Sequence, residues 1–321
     1  MLRGATWGRG RSVLPVSVLP SGQQWTIRHG DHEAVVVEVG GGLRAYVCGE
    51  VNVLAGYGRD VRCPSGHGQL LMPWPNRIRD GRYTFAGASH QLALTEPERG
   101  NAIHGLVRWA IWSVLECTHE SVTLGYKLRP QQGWQWSLDL SVTYALSATG
   151  LMVTPRARNV GTDAAPFGFG AHPYLSVGED RVDEVEIAIP AAAFLEVDER
   201  LLPTGLAAVE GTDQDLRVPT VLGRQALDTT FTNLVAGPDG TWRVDLAHPR
   251  TGRGVTLWAD AKAYQWLQVF TGDSLPLPSR RVSGIAVEPM TCPPNAFNSG
   301  DDLLVLEPGQ EFAAPWGITP G

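Results

Sequence analysis

The sequence predicts an all-β protein built as one large antiparallel β-sandwich, and three observations carry that prediction. Apolar residues recur at every second position in many segments, the pattern of strands with one face buried and the other solvated. Glycine and proline are abundant, 37 and 23 of 321 residues, so turns must be frequent. No segment sustains the three-to-four-residue spacing of an amphipathic helix.

The alternation is sharpest at Leu138, Leu140, Val142, Tyr144 and Leu146, with Asp139, Ser141 and Thr143 facing the other way. Val122, Leu124, Tyr126 and Leu128 repeat it, as do Val185, Ile187 and Ile189, and then Val255 and Leu257. Turn formers separate the runs at Gly40-Gly41-Gly42, Ala86-Gly87-Ala88, Asn159-Val160-Gly161-Thr162, Gly237-Pro238-Asp239-Gly240 and Pro308-Gly309. Short strands between frequent turns make a sandwich or a barrel. Composition does not shift midway and no low-complexity linker interrupts the chain, so residues 22–321 read as a single domain. Residues 1–21 read as a loosely ordered N-terminal extension. Arg3, Arg9 and Arg11 precede an apolar stretch, Val13–Pro20, that is too short and too broken by proline to be an export signal.

Composition also bounds the partners. With 26 Lys+Arg against 33 Asp+Glu the formal charge is −7, and no basic run is interleaved with aromatics, which argues against nucleic acid. No apolar run approaches the roughly twenty residues of a membrane helix, so no membrane partner is expected. Cys48, Cys63, Cys117 and Cys292 are scattered with no Cys-x-x-Cys pair, which argues against a zinc ribbon or redox motif. They suit reduced thiols in a cytoplasmic protein and read as buried fillers. A small polar molecule is the expected ligand, and the sequence carries no signal of oligomeric state.

Residues with chemical potential gather in three Gly- and Pro-rich segments, where loops and strand ends expose side chains to a ligand. The first is Pro73-Trp74-Pro75-Asn76-Arg77-Ile78 with the following Asn101-Ala102-Ile103-His104-Gly105. The second is Phe169-Gly170-Ala171-His172-Pro173-Tyr174-Leu175, and the third is Ala286-Val287-Glu288-Pro289-Met290-Thr291. Taken singly, each has an ordinary explanation. A histidine between glycines is commonly a structural donor, Glu288 after an apolar run reads as an outward strand residue, and Arg77 as a surface cation. Their joint occurrence in this order is what points to a site.

On these segments the chain resembles the aldose 1-epimerases, the galactose-mutarotase family. The resemblance runs from about Gly22 onward. It rests on Asn76-Arg77-Ile78 with Gly81-Arg82-Tyr83-Thr84-Phe85, on Gly100-Asn101-Ala102-Ile103-His104-Gly105, on His172-Pro173-Tyr174 and on Val287-Glu288-Pro289. It implies a β-supersandwich, an isomerase that exchanges the α and β anomers of a pyranose, and no cofactor or metal. It further implies Glu288 as base, His172 as the principal acid with His104 as a second donor that orients the sugar, and Arg77 with Asn76 as sugar-binding residues. Leu227-Asp228-Thr229-Thr230-Phe231 looks like the family's aspartate segment, which adds Asp228. Two departures concern the sugar. Ala171-His172-Pro173-Tyr174 replaces the Asn-His-Ser-Tyr of members best known for galactose, and Leu106 stands where a second glycine usually follows His-Gly.

The reaction itself asks for such a pair. Opening a pyranose at C1–O5 removes a proton from the C1 hydroxyl and delivers one to the ring oxygen, so a carboxylate and an imidazole N–H must meet at one hemiacetal. Trp74 beside Arg77 is a candidate apolar platform for the sugar ring. Arg108, shortly after His104-Gly105, reads first as a surface ion-pair residue, though a guanidinium there would also suit the phosphate or sulfonate of an anionic sugar. Competing readings are weaker. His29-Gly30-Asp31-His32-Glu33 collects metal-ligand types, but it sits between two alternating runs and reads as a hairpin turn. A glycoside hydrolase would need two carboxylates, for which Asp228 with Glu288 is the one obvious pair. A non-catalytic carbohydrate-binding protein has no need of an acid and a base on one carbon.

Overall fold

The computed structural model describes residues 18–178, 181–276, 281 and 284–321; most of the expected N-terminal extension, residues 1–17, lies outside them. The described part of that extension ends attached. Ser21 is buried, and its carbonyl accepts the Val39 N–H at 3.0 Å.

The all-β expectation holds. Among the described residues the helical elements are one α-turn, Ala296–Ser299, and one 3₁₀ turn, Val182–Glu184. Two large antiparallel sheets carry the fold. The ten-stranded sheet runs Ser113–Cys117, Ser121–Leu128, Leu138–Ser147, Gly150–Asn159, Trp316–Pro320, Gly254–Asp260, Thr241–Ala247, Glu186–Ala188 and Thr220–Val221, with Glu311–Ala313 also on Gly150–Asn159. The eight-stranded sheet runs Pro203–Ala208, Ala191–Val197, Asp228–Leu234, Trp266–Phe270, Ile285–Met290, Gly170–Ala171 and Leu70–Leu71, with Tyr174–Leu175 also on Ile285–Met290. A four-stranded sheet over Gln24–Asn52 and three two-stranded ribbons complete the framework.

Alternation becomes packing. Leu138–Ser147 alternates buried and half-buried positions along nearly its whole length, as its sequence dictates. Val142, Tyr144 and Val153 of the ten-stranded sheet share one hydrophobic cluster with Phe231, Leu267 and Val287 of the eight-stranded sheet. Each such side chain contributes about 1.5–3 kcal/mol by leaving water. The Tyr144 hydroxyl donates to the Gly41 carbonyl at 2.8 Å, so its one polar atom is not stranded in the core.

The hairpin reading of residues 29–33 is correct. Gln24–His29 pairs with His32–Val37 across Gly30 and Asp31, with Gly30 at φ 53°. Its two histidines are engaged elsewhere, His29 with Glu120 and His32 with the Tyr46 hydroxyl. The cysteine reading needs correction. Cys63 and Cys292 are buried, but Cys48 is half-buried and Cys117 exposed, because Cys117 ends an edge strand whose five residues all face solvent.

Candidate active site

Strand register brings His172 and Glu288 together. Gly170 lies opposite Met290 and Tyr174 opposite Ala286, so the same register sets His172 across from Glu288. The segment bows out of the ladder between those points. Pro173 has no N–H, His172 donates its own to the Gln69 carbonyl at 3.0 Å, and Val287 donates to the Pro173 carbonyl at 3.1 Å. His172 Nε2 then lies 3.3 Å from Glu288 Oε1, with Glu288 only 2% exposed. On the other side of Glu288, Gln268 is its direct cross-strand partner, and Thr230 is in turn opposite Gln268.

A second device delivers His104. Arg77–Arg79 and Asn101–Ile103 form a two-stranded ribbon with Arg77 opposite Ile103, and Asn76 and His104 stand at its end. Both adopt left-handed backbone, φ 51° and 63°. Each such non-glycine residue costs on the order of 1–2 kcal/mol, offset here by reciprocal bonds. His104 N–H donates to the Asn76 carbonyl at 2.9 Å, and Asn76 N–H donates to His104 Nδ1 at 3.2 Å. The glycine after His104 is required. A Cβ on Gly105 would lie 2.0 Å from the Met72 carbonyl oxygen.

That second bond fixes a tautomer. Nδ1 accepts, so the neutral ring carries its proton on Nε2, as a donor. The His104 ring packs edge-on against His172, centroids 5.4 Å apart. His104, His172 and Glu288 each bring one ligand-type atom within 4.8 Å of the other two, a spacing a metal ion could use. The donor set fits one poorly, because the Asn76 N–H leaves His104 offering an N–H in place of a lone pair. Three groups that give and take protons suit a hydroxylated ligand better.

Asn76, Arg77, Glu96, His104, Arg108, His172, Tyr174, Asp228, Gln268 and Phe270 line one cleft. Arg77 is clamped by Glu96 through two 2.8 Å bonds from Nε and Nη2. Burial alone would raise the Glu96 carboxyl, but the hydrogen bonds and charge of Arg77 hold it below the usual carboxylate range. Gln268 is a hub. Its Nε2 donates to Asp228 at 2.7 Å, and its Oε1 accepts from Thr230 and Asn76. Arg108 differs from Arg77. Its Nε donates to Gln69 Oε1 at 2.6 Å, and among the described residues no carboxylate lies within ion-pair distance of it.

The electrostatics move His172 and Glu288 in opposite directions. Burial first, then the nearby His67 and Arg108, push the His172 imidazolium down to about 3, so the ring is neutral. His104 is depressed by burial and by the charge of Arg108. Glu288 moves the other way, well above the ordinary carboxylate range, because it is buried and Asp228 repels its charge. Asp228 opens onto the cleft, yet surrounding protein raises its carboxyl as well. A carboxylate with raised proton affinity is a stronger base.

Most residues expected from sequence converge here. His104, His172, Asn76, Arg77, Asp228 and Arg108 line the cleft, and Glu288 is buried beside it, 3.3 Å from the His172 ring. Trp74 does not. It is 2% exposed and packs edge-on against Phe297 in the core, 5.7 Å between centroids, so its ring is not available to a sugar in the cleft. Its reading as a sugar platform is therefore corrected. The ion-pair reading of Arg108 is corrected too, since its tether is the neutral Gln69. Sequence reasoning missed Gln268 and Glu96. The available signal for Gln268 was an amide alone in the apolar strand Trp266–Phe270.

The family model of the aldose 1-epimerases matches residues 23–319. The chain is 38% identical over 292 residues to the uncharacterized protein YihR of Escherichia coli (strain K12), covering 90% of this chain and 91% of that one. It is 28% identical over 260 residues to galactose mutarotase of Sus scrofa, covering 74% and 73%. Its fold matches that of a GalM/aldose epimerase homologue from C. elegans with a TM-score of 0.82 at 17% identity, covering 93% of this chain and 99% of the other. A putative aldose 1-epimerase from E. coli K12 matches with a TM-score of 0.79 at 21% identity, covering 93% and 99%. With matching segments, fold and family model in agreement, the chain belongs to the aldose 1-epimerase family of isomerases.

Proposed function

We propose that this protein interconverts the α and β anomers of a free hexopyranose, with Glu288 as base and His172 as acid. The observation that carries the reading is the buried pair, 3.3 Å apart, whose His172 lines an open cleft with other hydrogen-bonding side chains. Glu288 takes the C1 hydroxyl proton while the C1–O5 bond breaks. The bonding electrons go to O5, which receives the His172 Nε2 proton while Glu288, 3.3 Å away and protonated by the C1 hydroxyl, returns one to that nitrogen, so the imidazole stays neutral and O1 becomes the aldehyde oxygen. Rotation about C1–C2 and the reverse transfers close the ring on its other face. His104 Nε2–H supports the oxygen that gains charge, while Arg77, Asn76 and Asp228 hold the remaining hydroxyls. Each proton transfer contributes roughly 10²–10⁴-fold. Four free thiols favour a reducing compartment such as the cytoplasm.

A second reading concerns the substrate, and Arg108 favours it. An arginine in the cleft with no carboxylate partner among the described residues is suited to a phosphate or sulfonate on the sugar. Anomer-exchange NMR on D-glucose, D-galactose, their 6-phosphates and a 6-sulfonated aldose tests both. Acceleration of at least one sugar is expected. Binding with no acceleration of any would make the protein a carbohydrate-binding module, and release of reducing sugar from a glycoside would make it a hydrolase. Arg108→Met should slow anionic sugars about 10-fold or more and spare neutral ones if the anionic reading is right. Equal effects on both would refute it.

A further inference from the structure

We propose that the loop Ser65–Gln69 is a positioning cradle for His172, in which His67 acts through the ring of Tyr174 to hold the acid imidazole in its reacting orientation. The inference rests on the reading of His172 as the acid. It starts from a missing partner. Reacting histidines are generally oriented by a hydrogen bond to the second ring nitrogen. His172 Nδ1 is buried and has no hydrogen-bond partner among the described residues. Something else must fix the ring.

Stacking supplies that constraint. The His67 ring lies on Tyr174 with centroids 3.7 Å apart and planes within 5°, and Tyr174 lies on His172 at 5.1 Å and 17°. The three rings form a column whose last member is the acid. Gly66 closes against the catalytic nitrogen. At φ 81° it has no side chain, and a Cβ there would stand 3.1 Å from His172 Cδ2 and 3.3 Å from Nε2.

The backbone of the same loop grips the chain that bears the ring. Gly68 N–H donates to the His172 carbonyl at 2.8 Å, His172 N–H to the Gln69 carbonyl at 3.0 Å, and the Tyr174 hydroxyl to the Ser65 carbonyl at 3.1 Å. His67 is itself anchored, with Nδ1 2.8 Å from the Pro64 carbonyl, so that nitrogen carries a proton. Left-handed backbone at Ser65, Gly66 and Gly68 gives the loop its shape, and a Cβ on Gly68 would lie 1.8 Å from the Leu43 carbonyl oxygen. Such a conformation persists only where its surroundings over-determine it. Gln69 also holds Arg108, so one loop sets both the acid and the guanidinium that lines the cleft.

The test compares ring-removing with ring-keeping variants, using the sugar of the panel above that the wild-type protein accelerates most. An ångström of misplacement can cost up to about 100-fold in rate. Tyr174→Leu should therefore lower kcat roughly 10- to 100-fold, and His67→Ala about 5- to 10-fold, with KM within about twofold. His67→Phe keeps the stack and should remain within about threefold of wild type. ¹⁵N NMR of the His172 ring gives a second readout: one tautomer in the wild type and in His67→Phe, an averaged signal in His67→Ala. Where Tyr174→Leu does not fold, the His67 pair carries the test. Unchanged kcat in folded His67→Ala, a loss confined to KM, or failure of His67→Phe to restore the rate would each overturn the proposal. If His172→Asn leaves exchange unslowed, the acid assignment itself fails, which is a separate outcome.

Discussion

Leu138–Ser147 pairs with Gly150–Asn159 over ten residues without a register break, whereas the cleft is made from pieces such as Arg77–Arg79, Gly170–Ala171 and Tyr174–Leu175. The first region is held by repetition. Each alternate side chain adds to the same buried face, and no single residue sets its geometry. The second is held by particular constraints: left-handed residues at Asn76 and His104, a proline that breaks a ladder, and glycines where a Cβ has no room. The contrast implies that stability and chemistry reside in different residues and can be changed separately.

The sharpest way to break that contrast is a double dissociation. Glu288→Gln and His172→Asn should each slow anomer exchange by about 10²–10⁴-fold while leaving the melting temperature unchanged or higher, since each removes a poorly solvated titratable group. Tyr144→Ala should do the opposite. By analogy with other large-to-small core changes it should cost about 3–5 kcal/mol of stability, and it also strands the Gly41 carbonyl. The fraction that stays folded should keep its kcat. Measuring chemical denaturation and exchange NMR on all three variants checks this, and a loss of kcat in folded Tyr144→Ala would mean that the ten-stranded sheet tunes the site.

The same contrast explains what could be read from sequence. Alternation at Leu138–Leu146 is a local signal, and it gave the strand, its buried face and the fold class. Asn76, Arg77, His104, His172, Asp228 and Glu288 were found through motifs that repeat across a family. Gln268 and Glu96 carry no such local mark, because their roles come from cross-strand register and from a clamp reaching 19 residues along the chain. Trp74 was misassigned for a related reason: adjacency to Arg77 in sequence says nothing about which way a side chain turns between two prolines. The cradle at Ser65–Gln69 was equally silent, since its meaning lies in rings brought together from Tyr174 and His172, more than 100 residues away.

A smaller effect sharpens the electrostatic side of the comparison. Glu288 must be ionised to act as base, so kcat/KM should fall as pH drops through its pKa, which burial and Asp228 hold well above the ordinary carboxylate range. His172 stays neutral down to about 3 and cannot supply that limb. Asp228→Asn removes the like charge that raises Glu288, so the acid limb should move to lower pH, whatever happens to KM. A limb that does not move, or moves upward, would show that Asp228 does not set the base.

The smallest expected effect is at Trp74, and it separates the core from the cleft within one short segment. Trp74 lies two residues from Asn76, yet its ring is in the core with Phe297 and its buried Nε1–H has no hydrogen-bond partner among the described residues. Trp74→Phe removes that unsatisfied donor, a gain of about 1–3 kcal/mol, and leaves a void whose cost is of similar size. Stability should therefore change by no more than about 1 kcal/mol, and KM and kcat for the sugar should stay at wild-type values. A sugar ring stacked on Trp74 would instead lose contact area and raise KM several-fold at constant kcat, the pattern of lost uniform binding. Steady-state anomer exchange on this variant thus decides whether the boundary between scaffold and site runs between residues 74 and 76.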